Sequence, residues 1–507
     1  MERDIRVQPE NVLIKERLAK LKELKSLKID PYPYRYSKTH DAKQIQNAFA
    51  GLEPQEHTNE TVSIAGRMMT KRDMGKASFA NVADQTGSIQ IYAKEDILKD
   101  KYKLFKRLDL GDFIGVKGHV FKTKTGEVSV EVKELTILAK SLRPLPEKYH
   151  GLKDPELIYR QRYAHLATDK EARDILIIRS KIISEVRKIL EEKGFVEVET
   201  PMLQPIYGGA NARPFMTHHN ILHFDMYLKI SPELYLKRLL VGGFEKVFEI
   251  GKNFRNEGID HKHNPEFTML EAYQAYADYN DMMELTEELY ERVALKIFDT
   301  TKFKLGNNII DVKRPWRRIS MIDAIKKHTN IGDITKLSDD EIKDIMRNYN
   351  IKFEGDYIRG LAIAAIFEEL VEDKLIQPTF ITDHPRETSP LCKVHRKNPL
   401  FIERFEPFIA GMEVGNAYSE LNDPIEQKTL LMGQAQQLRA GSLEAHPMDE
   451  DFIQAIEMGM PPTGGLGLGI DRMVMLFTGK ESIRDVIAFP TMKPVMSENE
   501  PKKPYKP

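Results

Sequence analysis

One segment of the chain combines residue types that bind an anionic substrate. Phe254–Phe267 reads F-R-N-E-G-I-D-H-K-H-N-P-E-F, with Arg255 and Glu257 two positions apart. Because side chains alternate along a strand, we expect these two residues on one face. Gly258–Pro265 then contains the residues of a turn. An arginine fork pairs well with phosphate, so the segment predicts a phosphate contact on this strand.

The strand expected after this turn carries a second set of functional side chains. Phe267, Met269, Glu271 and Tyr273 again follow each other at period two and therefore share one face. An aromatic ring offers a stacking surface for a purine, and a carboxylate pairs with an amine. The two strands together predict a cleft for a nucleotide and an amine.

A glycine-rich strand near the C-terminus fits the same cleft. Gly464–Leu476 reads G-G-L-G-L-G-I-D-R-M-V-M-L, so Gly465, Gly467 and Gly469 leave one strand face without side chains. We expect a flat base to lie against that bare backbone. Arg472 begins the following helix and is close enough to reach phosphate. Such glycines also occur at bulges and at tight helix–strand contacts, and only their order after Arg255 favours the nucleotide interpretation.

Two glutamates flank a turn in a further segment. Glu406 and Glu413 stand on either side of Ala410-Gly411, and a hairpin would bring them near each other across the strands. Mg²⁺ prefers a few protein oxygens together with phosphate. The pair therefore predicts a magnesium site beside a triphosphate. Two surface glutamates are the alternative when the pair is taken alone.

Acidic residues also occur in segments that we expect to be buried. Asn416, Tyr418 and Glu420 alternate along Gly415–Asp423 and so share one strand face, and Ser231–Lys237 adds Glu233. A buried carboxylate needs a partner. The ammonium group of a substrate is such a partner, so these acids favour a cationic substrate.

The residues between these motifs alternate between helical and strand patterns. Lys193–Leu203 reads as the end of a helix, then Gly194, a strand and Pro201. We expect helices over 155–192, a long amphipathic helix over Asp281–Phe298, a mostly helical insertion over 320–375, and strands over 376–420. These elements would place the cleft residues on one central sheet.

The N-terminal part has a different pattern, of short strands separated by turns. Five strands within about 80 residues are typical of a small Greek-key barrel of the oligonucleotide-binding kind. The predicted strands are Val62–Met69, Ala77–Val82, Ile89–Ala93, Phe113–Phe121 and Val128–Leu138. Phe79 and Gln90 fall on successive strands, where they could stack on and pair with a base. Periodicity alone favours a core position for Phe79.

Composition adds weaker constraints on partners and compartment. The first 150 residues carry more Lys and Arg than Asp and Glu, and the remainder reverses this balance. The basic part favours a polyanionic partner, although a solvated lysine-rich surface is equally consistent with it. Cys392 is the single cysteine, and no apolar run approaches the roughly 20 residues of a membrane span. We also expect no secretory signal at Met1–Asp4, and therefore a cytoplasmic protein without membrane contact.

Taken together, the motifs resemble the class II lysyl-tRNA synthetases of the bacterial type. The most specific matches are Gly208–Phe215, Ser231–Tyr235, Arg255–Gly258 and Gly415–Asp423, and the likeness runs from the barrel to the glycine-rich strand. The resemblance implies an α+β fold: an N-terminal OB-fold β-barrel followed by a class II catalytic domain built on an antiparallel β-sheet flanked by helices. It also implies lysine activation by ATP, with Mg²⁺, and transfer of lysine to tRNA(Lys).

The resemblance also implies roles for individual residues. Arg255, Glu257 and Arg472 would be catalytic. The ATP site would comprise Arg255, Glu257, His263, Phe267, Glu406, Glu413, Gly469 and Arg472, with Mg²⁺ on Glu406 and Glu413. The lysine site would comprise Gly209, Glu233, Arg255, Glu271, Tyr273, Asn416 and Glu420, with Glu420 and Tyr273 on the ε-ammonium. The anticodon would contact Phe79, Gln90 and Glu134.

The same likeness gives a domain division and two alternatives. We expect an N-terminal helix and lead-in over 1–60, an anticodon-binding barrel over 61–145 and a catalytic domain over 146–507, with Lys193–Leu203 building a homodimer interface. A related enzyme that lysylates a protein would lack the barrel. A degenerate synthetase that only senses tRNA would have lost residues such as Arg255 or Arg472.

Overall fold

The computed structural model describes residues 9–146, 154–352, 357–439 and 447–494. The described residues divide into two units, one within 1–154 and 163–168 and the other within 155–162 and 169–507. The division predicted at residues 60 and 145 is finer than this one and stays a prediction. Met1–Asp4, where we expect no signal sequence, lies outside the described ranges.

The first unit contains the predicted barrel. Two helices precede it, α1 (Pro9–Ser26) and α2 (Ala42–Ala48). The five strands are β1 (His57–Asp73), β2 (Ala77–Ala83), β3 (Ser88–Lys94), β4 (Phe113–Lys122) and β5 (Val128–Ala139), and they close in the order β1-β2-β3-β5-β4. All five predicted strands are confirmed. Two short helices that we did not predict, α3 (Glu95–Leu98) and α4 (Asp100–Arg107), join β3 to β4.

Alternation of side chains fills the barrel and leaves an outer face. Along β2, Ser78, Ala80 and Val82 are buried whereas the residues between them are partly exposed. The core combines such positions from all five strands with Tyr102 and Phe105 of α4. Phe79 therefore lies on the outer face, and the core position favoured by periodicity is wrong for it.

The second unit is built around a large sheet. Its strands, with those of two smaller sheets, are β6 (Val196–Glu197), β7 (Leu203–Gln204), β8 (Met216–His219), β9 (Phe224–Leu228), β10 (Lys246–Phe254), β11 (Glu266–Ala275), β12 (Lys302–Leu305), β13 (Asn308–Asp311), β14 (Arg317–Ser320), β15 (Thr379–Pro385), β16 (Phe401–Ile409), β17 (Met412–Glu413), β18 (Gly415–Ser419) and β19 (Thr463–Gly469). The large sheet has the order β14-β15-β16-β18-β19-β11-β10-β6, and β17 pairs with β16. Its central strands are antiparallel, and the two edge pairs are parallel.

Helices cover this sheet and form the insertion. The helices of this unit are α5 (Pro155–Arg160), α7 (Lys170–Glu192), α8 (Glu233–Val241), α9 (Tyr279–Phe298), α10 (Met321–His328), α11 (Asp339–Asn348), α12 (Arg359–Leu370), α13 (Pro424–Arg439), α14 (Glu450–Glu457), α15 (Ile470–Thr478) and α16 (Ile483–Val486). Helix α6 (Arg162–Thr168) falls almost entirely in the first unit. The insertion predicted over 320–375 is confirmed as helical, since α10, α11 and α12 share a separate core. Helices α8, α13 and α14 were not predicted.

The two faces of the central strands have different roles. Leu270 and Ala272 on β11, with Leu466 and Leu468 on β19, join the main hydrophobic core beneath α7, α9 and α15. The residues between them face the opposite side of the sheet and line a cavity. The period-two pattern therefore predicts correctly which residues of these strands face the site.

The first motif forms as predicted, and its apolar residues are accessible. Helix α7 ends at Glu192, Gly194 follows with a left-handed backbone (φ +82°), and β6 begins at Val196. Val196, Met202 and Leu203 are exposed on the isolated chain. In the part of the chain that the structure describes, no helix combines the length and apolar character needed to span a membrane.

Candidate active site

A cavity of about 350 Å³ opens on the face of the sheet opposite α7, α9 and α15. It collects nearly all the residues that the sequence predicts for ATP and lysine. The predicted residues that line it are Gly209, Glu233, Arg255, Glu257, His263, Phe267, Glu271, Tyr273, Glu406, Glu413, Asn416, Gly469 and Arg472. Glu420 is the exception, because its side chain is buried behind the residues that line the cavity.

Arg255 lies just beyond the strand on which we expected it. Strand β10 ends at Phe254, and Arg255 and Glu257 belong to the irregular segment that follows, so their common strand face was wrong. The Arg255 amide still donates to Pro265 O at 2.9 Å, which keeps Arg255 beside the residue that precedes β11. The guanidinium lies over the Phe267 ring, 5.1 Å from its centroid. Its buried Nε has no hydrogen-bond partner among the described residues and so remains available to an anionic ligand.

Arg472 bridges three of the motifs at one side of the cavity. Its Nη1 donates to Glu413 O at 2.7 Å and to the Glu413 carboxylate at 3.2 Å. Its Nη2 lies 3.4 Å from His263 Nε2, and the other ring nitrogen of His263 contacts Asp260. The arrangement brings a cation, a carboxylate and an imidazole to the place where a nucleotide phosphate would bind.

Glu406 and Glu413 lie on the predicted hairpin. Its turn is Ala410-Gly411, both with positive φ, and Glu413 pairs with Phe408 rather than directly with Glu406. Glu406 accepts from Arg404 Nη2 at 2.6 Å, while Glu413 contacts Arg472. Two carboxylates that keep oxygens toward the cavity suit Mg²⁺, which takes its remaining ligands from phosphate and water. No group of three or more His, Cys, Asp or Glu side chains within 9–146, 154–352, 357–439 and 447–494 forms a complete metal site by itself.

The helical insertion adds acids to this region that sequence reasoning missed. Glu368 lies at the C-terminal part of α12, and Glu372 follows it. Partial burial, with the charges of Glu406, Glu372 and Glu413, raises the pKa of Glu368 to about 7. Burial is the main cause of this shift, and the neighbouring carboxylates add to it. No local sequence pattern connects the insertion to the hairpin.

The other end of the cavity is lined by acids. Glu271 is buried and accepts hydrogen bonds from Ser231 Oγ at 2.8 Å and from the Tyr273 hydroxyl at 3.1 Å. Burial and the neighbouring charge of Glu233 raise the pKa of Glu271 to about 8. Gly209 packs against this group with φ +86°, and a Cβ there would lie 2.8 Å from Ser231 Oγ. A glycine is therefore required by both its conformation and its surroundings.

Glu420 is buried as predicted, but it already has a partner within the protein. Its Oε2 contacts the ammonium of Lys237, which also lies 2.5 Å from Glu233 Oε1. The expectation that a substrate ammonium is the partner Glu420 needs was therefore incomplete. Lys237 lies four residues after Glu233 on α8, a spacing that brings two helical side chains together. This spacing was the signal in the sequence that we missed.

The bare strand face of β19 is only partly open. A Cβ on Gly465 would lie 1.9 Å from Glu420 Oε1 and 2.6 Å from the Tyr273 ring, so these side chains fill the space that we expected a base to occupy. A Cβ on Gly469 would meet only the Arg472 side chain, at 3.5 Å. Gly465 thus makes room for the side chains of Glu420 and Tyr273, whereas the space beside Gly469 is open enough for a ligand.

Asn416 and Arg404 connect the two ends of the cavity. Arg404 Nε donates to Asn416 Oδ1 at 2.9 Å, which leaves the amide nitrogen of Asn416 as its donor toward a ligand. Arg404 also donates to Glu406. One cation therefore positions both Asn416, which the sequence predicts for the lysine site, and Glu406, which it predicts for the ATP site. Sequence reasoning did not identify Arg404, although it lies two residues before Glu406 on the same strand.

The barrel of the first unit has a separate candidate surface, which we call the aromatic face and define as His57, Phe79, Tyr92 and Phe121. Phe79 stacks on Tyr92 with 4.5 Å between centroids, and His57 stacks on Phe121 at 4.9 Å. Tyr92 and Phe121 are 5.9 Å apart and join the two pairs. Gln90 lies two residues before Tyr92 on β3, on the same face.

The two acids of β5 differ in their relation to this face. Glu131 is opposite Tyr92 in the strand register and forms ion pairs with Lys94 at 2.9 Å and Lys133 at 2.7 Å. Glu134 is three residues further along and pairs with Lys117 at 3.3 Å. Glu131 therefore lies beside Tyr92 of the aromatic face, whereas the carboxylate that contacts Gln90 is that of Glu127, which accepts from Gln90 Nε2 at 2.8 Å.

Comparison with known families agrees with this architecture. Residues 154–493 match the family of class II tRNA synthetases (D, K and N). Residues 62–138 match the OB-fold nucleic acid binding domain. The fold and the cavity thus define a class II synthetase domain preceded by an OB-fold domain.

Individual relatives extend the likeness over nearly the whole chain. The lysine–tRNA ligase of Carboxydothermus hydrogenoformans is 54% identical over 96% of this chain and 98% of its own length. Those of Syntrophomonas wolfei and Clostridium botulinum strain Langeland are 52% and 53% identical, each over 96% of this chain and over 98% and 96% of their lengths. The chain belongs to the class II tRNA synthetases and, among them, to the lysine–tRNA ligase family.

Proposed function

We propose that this protein activates L-lysine with ATP to lysyl-adenylate and pyrophosphate, and then transfers lysine to the 3′ end of tRNA(Lys). We choose lysine as the amino acid because of the charge at the end of the cavity that is lined by acids. Glu233, Glu271 and Glu420 converge there with one internal cation, Lys237. When all are ionised, two negative charges remain for the two ammonium groups of lysine.

The proposed lysine contacts follow from the positions of these groups. Glu233 and Glu271, with the backbone of Gly209, would bind the α-ammonium, and Glu420 with Tyr273 would attract the ε-ammonium. Asn416 and Arg255 would bind the carboxylate. An uncharged analogue would leave a buried carboxylate without its partner, an arrangement that typically costs roughly 3–5 kcal/mol.

The proposed ATP contacts occupy the other end. Phe267 would stack on adenine with Arg472 on its other side, while Glu257, His263 and Gly469 contact the nucleotide. Arg255 would bind the α-phosphate. The lysine carboxylate then attacks the α-phosphorus and pyrophosphate leaves, so catalysis rests on positioning and charge neutralisation and requires no protein nucleophile.

The hairpin glutamates fit Mg²⁺ by their chemistry. Glu406 and Glu413 would hold the ion, with ATP oxygens and water completing the coordination. Glu368 and Glu372 of the insertion add two further carboxylates near this pair, and the charges of the neighbouring carboxylates contribute, after burial, to the raised pKa of Glu368. When bound, the ion supplies positive charge to the leaving pyrophosphate.

The barrel would read the anticodon through its aromatic face. Phe79 offers a ring for stacking and Gln90 a hydrogen-bonding amide, which are the groups that single-stranded RNA recognition uses. We propose Glu131, in preference to Glu134, as the acid beside the stacking rings, because Glu131 lies opposite Tyr92. Glu127, which accepts from Gln90 at 2.8 Å, is the acid beside the amide. Transfer of lysine to tRNA is the reaction that follows in the cytoplasm, where we place the protein.

The first motif would form the interface of a homodimer. Val196, Met202 and Leu203 expose apolar side chains on the single chain, and Met216, Ile221 and Leu222 add to them from the neighbouring small sheet. Exposed apolar side chains of this size mark an association site where they form one surface. Sedimentation of the purified protein tests this directly, since a monomer at micromolar concentration would contradict it.

Amino-acid-dependent ATP–pyrophosphate exchange tests the function as a whole. We expect exchange with lysine and none with the other nineteen amino acids. Exchange with aspartate or asparagine would keep the fold and contradict the assigned pocket. Absence of exchange with every amino acid, combined with retained tRNA binding, would favour a protein that senses tRNA without catalysis.

A further inference from the structure

A lysine of the protein itself lies behind the residues that line the acidic end of the cavity. The Lys237 side chain is fully buried, and its ammonium lies between Glu233 Oε1 and Glu420 Oε2. Two rings lie near the same nitrogen, with the Tyr418 centroid at 5.6 Å and the Phe452 centroid at 6.0 Å. The Tyr418 hydroxyl also donates to Glu233 Oε1 at 2.7 Å. Lys237 is therefore fixed by charge and packing at one position.

The remaining partners of the three acids are neutral. In the described parts of the chain, the other side chains that hydrogen-bond to Glu233 and Glu271 are the hydroxyls of Ser231, Tyr273 and Tyr418. Glu420 Oε1 is buried and has no hydrogen-bond partner there. Lys237 is thus the one cation among the described residues that forms an ion pair with these carboxylates.

We infer that Lys237 is a positioning residue that determines specificity: its ammonium joins Glu233 to Glu420 and neutralises one of three carboxylates, so that a substrate with two ammonium groups completes the charge balance. This inference rests on the proposed function, because it takes a diamino acid as the substrate. It goes beyond that function in assigning the discrimination to a residue that does not line the cavity.

Loss of the Lys237 charge should disturb lysine binding selectively. Without the ammonium, Glu233 and Glu420 repel each other, and the carboxylates turn apart or one takes up a proton. Either response removes a negative charge from the position where the proposed lysine substrate needs it, so lysine should bind more weakly. The ATP end is held by Arg255, Phe267 and Arg472, which do not contact Lys237, so ATP binding should persist.

The test compares Lys237→Met with Lys229→Met in lysine-dependent ATP–pyrophosphate exchange. Methionine keeps most of the volume and removes the charge. Lys229 is a matched control, because it is equally buried and paired with Glu249, yet it does not line the cavity or contact the three acids. We expect Lys237→Met to raise the KM for lysine at least tenfold and to change the KM for ATP less than twofold. Lys229→Met should lower the melting temperature and leave both KM values within twofold.

A second variant separates charge from packing and remains informative if Lys237→Met does not fold. Lys237→Ala removes a group equivalent to n-propylammonium. Added n-propylammonium should therefore restore lysine-dependent exchange, or the refolding yield if the variant does not fold by itself. The alcohol n-propanol, which has a similar shape but no charge, should restore neither. Wild-type protein at the same amine concentration controls for competition with lysine. An unchanged KM for lysine in Lys237→Met, an equal rise in the KM values for lysine and ATP, or equal rescue by amine and alcohol would overturn the inference. Failure of the wild-type protein to exchange with lysine would instead refute the proposed function itself.

Discussion

Arg179 and Asp471 form a buried ion pair that joins the helix of the first motif to the helix of the third. Arg179 Nη2 also donates to Thr268 Oγ1 at 2.9 Å, and the Thr268 amide donates to Asp471 Oδ2 at 2.6 Å. Thr268 follows Phe267 and Asp471 precedes Arg472. One closed set of contacts therefore fixes the backbone beside both residues proposed to enclose adenine.

Removal of the Arg179 charge should weaken both folding and ATP binding. Arg179→Met leaves Asp471 buried without its cation, which is expected to cost about 3–5 kcal/mol of unfolding free energy. The KM for ATP should rise more than the KM for lysine, because Thr268 and Asp471 adjoin the residues proposed to enclose adenine. Urea unfolding and exchange kinetics at varied ATP measure the two effects.

A variant of the same helix provides the comparison. Lys188 pairs with Glu192 at 3.7 Å on the exposed side of α7, so Lys188→Met should cost less than about 1 kcal/mol. Equal destabilisation by Lys188→Met, or equal KM effects on ATP and lysine in Arg179→Met, would contradict the assigned role of the ion pair.

Lysine binding should depend on pH through Glu271. The pKa of Glu271 is raised to about 8 by burial and by Glu233, so the empty pocket favours the protonated acid below that pH. The α-ammonium requires the ionised form, and binding below about pH 8 therefore expels a proton. The KM for lysine should fall as pH rises from about 6 to about 8, by at most about tenfold per unit. The stability that the protonated Glu271 contributes is fully present below its ordinary pKa of 4.5 and is lost as the pH rises from there to about 8.

Kinetics and calorimetry both measure this proton. The KM for lysine is determined between pH 6 and 8 with the KM for ATP as the internal reference, and binding enthalpies in buffers of different ionisation enthalpy count the protons released. A lysine KM that stays constant over this range would show that Glu271 is already ionised in the empty pocket.

The sequence predicted the strand motifs well because their signal is local. Period two on β11 and β19 separates Glu271 and Tyr273 from Leu270 and Ala272, and the structure follows that separation. Arg179 and Asp471 are 292 positions apart, and nothing near either residue identifies its partner. Lys237 is an intermediate case, because its i,i+4 relation to Glu233 is visible only once α8 is known to be a helix.

The aromatic face of the barrel should contribute to tRNA binding and leave lysine activation unchanged. Loss of one base–aromatic stack is expected to cost roughly 1–3 kcal/mol. Phe79→Ala should therefore raise the KM for tRNA about 10–100-fold in aminoacylation, with ATP–pyrophosphate exchange unaltered. A parallel fall in exchange would show that the variant disturbs the protein rather than the tRNA contact.

The two acids of β5 can be compared in the same assay. Glu131 is nearly buried opposite Tyr92, whereas Glu134 is exposed and pairs with Lys117. Glu131→Gln should raise the KM for tRNA more than Glu134→Gln. The reverse order would return the anticodon contact to Glu134, as the family resemblance implies.

Gly465 provides a steric test of the lysine end of the cavity. A methyl group at this position would lie 1.9 Å from Glu420 Oε1 and 2.6 Å from the Tyr273 ring, and the ring is buried. Gly465→Ala should therefore displace both side chains and raise the KM for lysine at least tenfold. A methyl group on Gly433 of α13 would meet no neighbouring atom within 4 Å, so Gly433→Ala should leave both KM values unchanged and stabilise its helix by roughly 1 kcal/mol. If Gly465→Ala instead raised only the KM for ATP, the bare strand face at this position would belong to the nucleotide, as the glycine pattern in the sequence predicts.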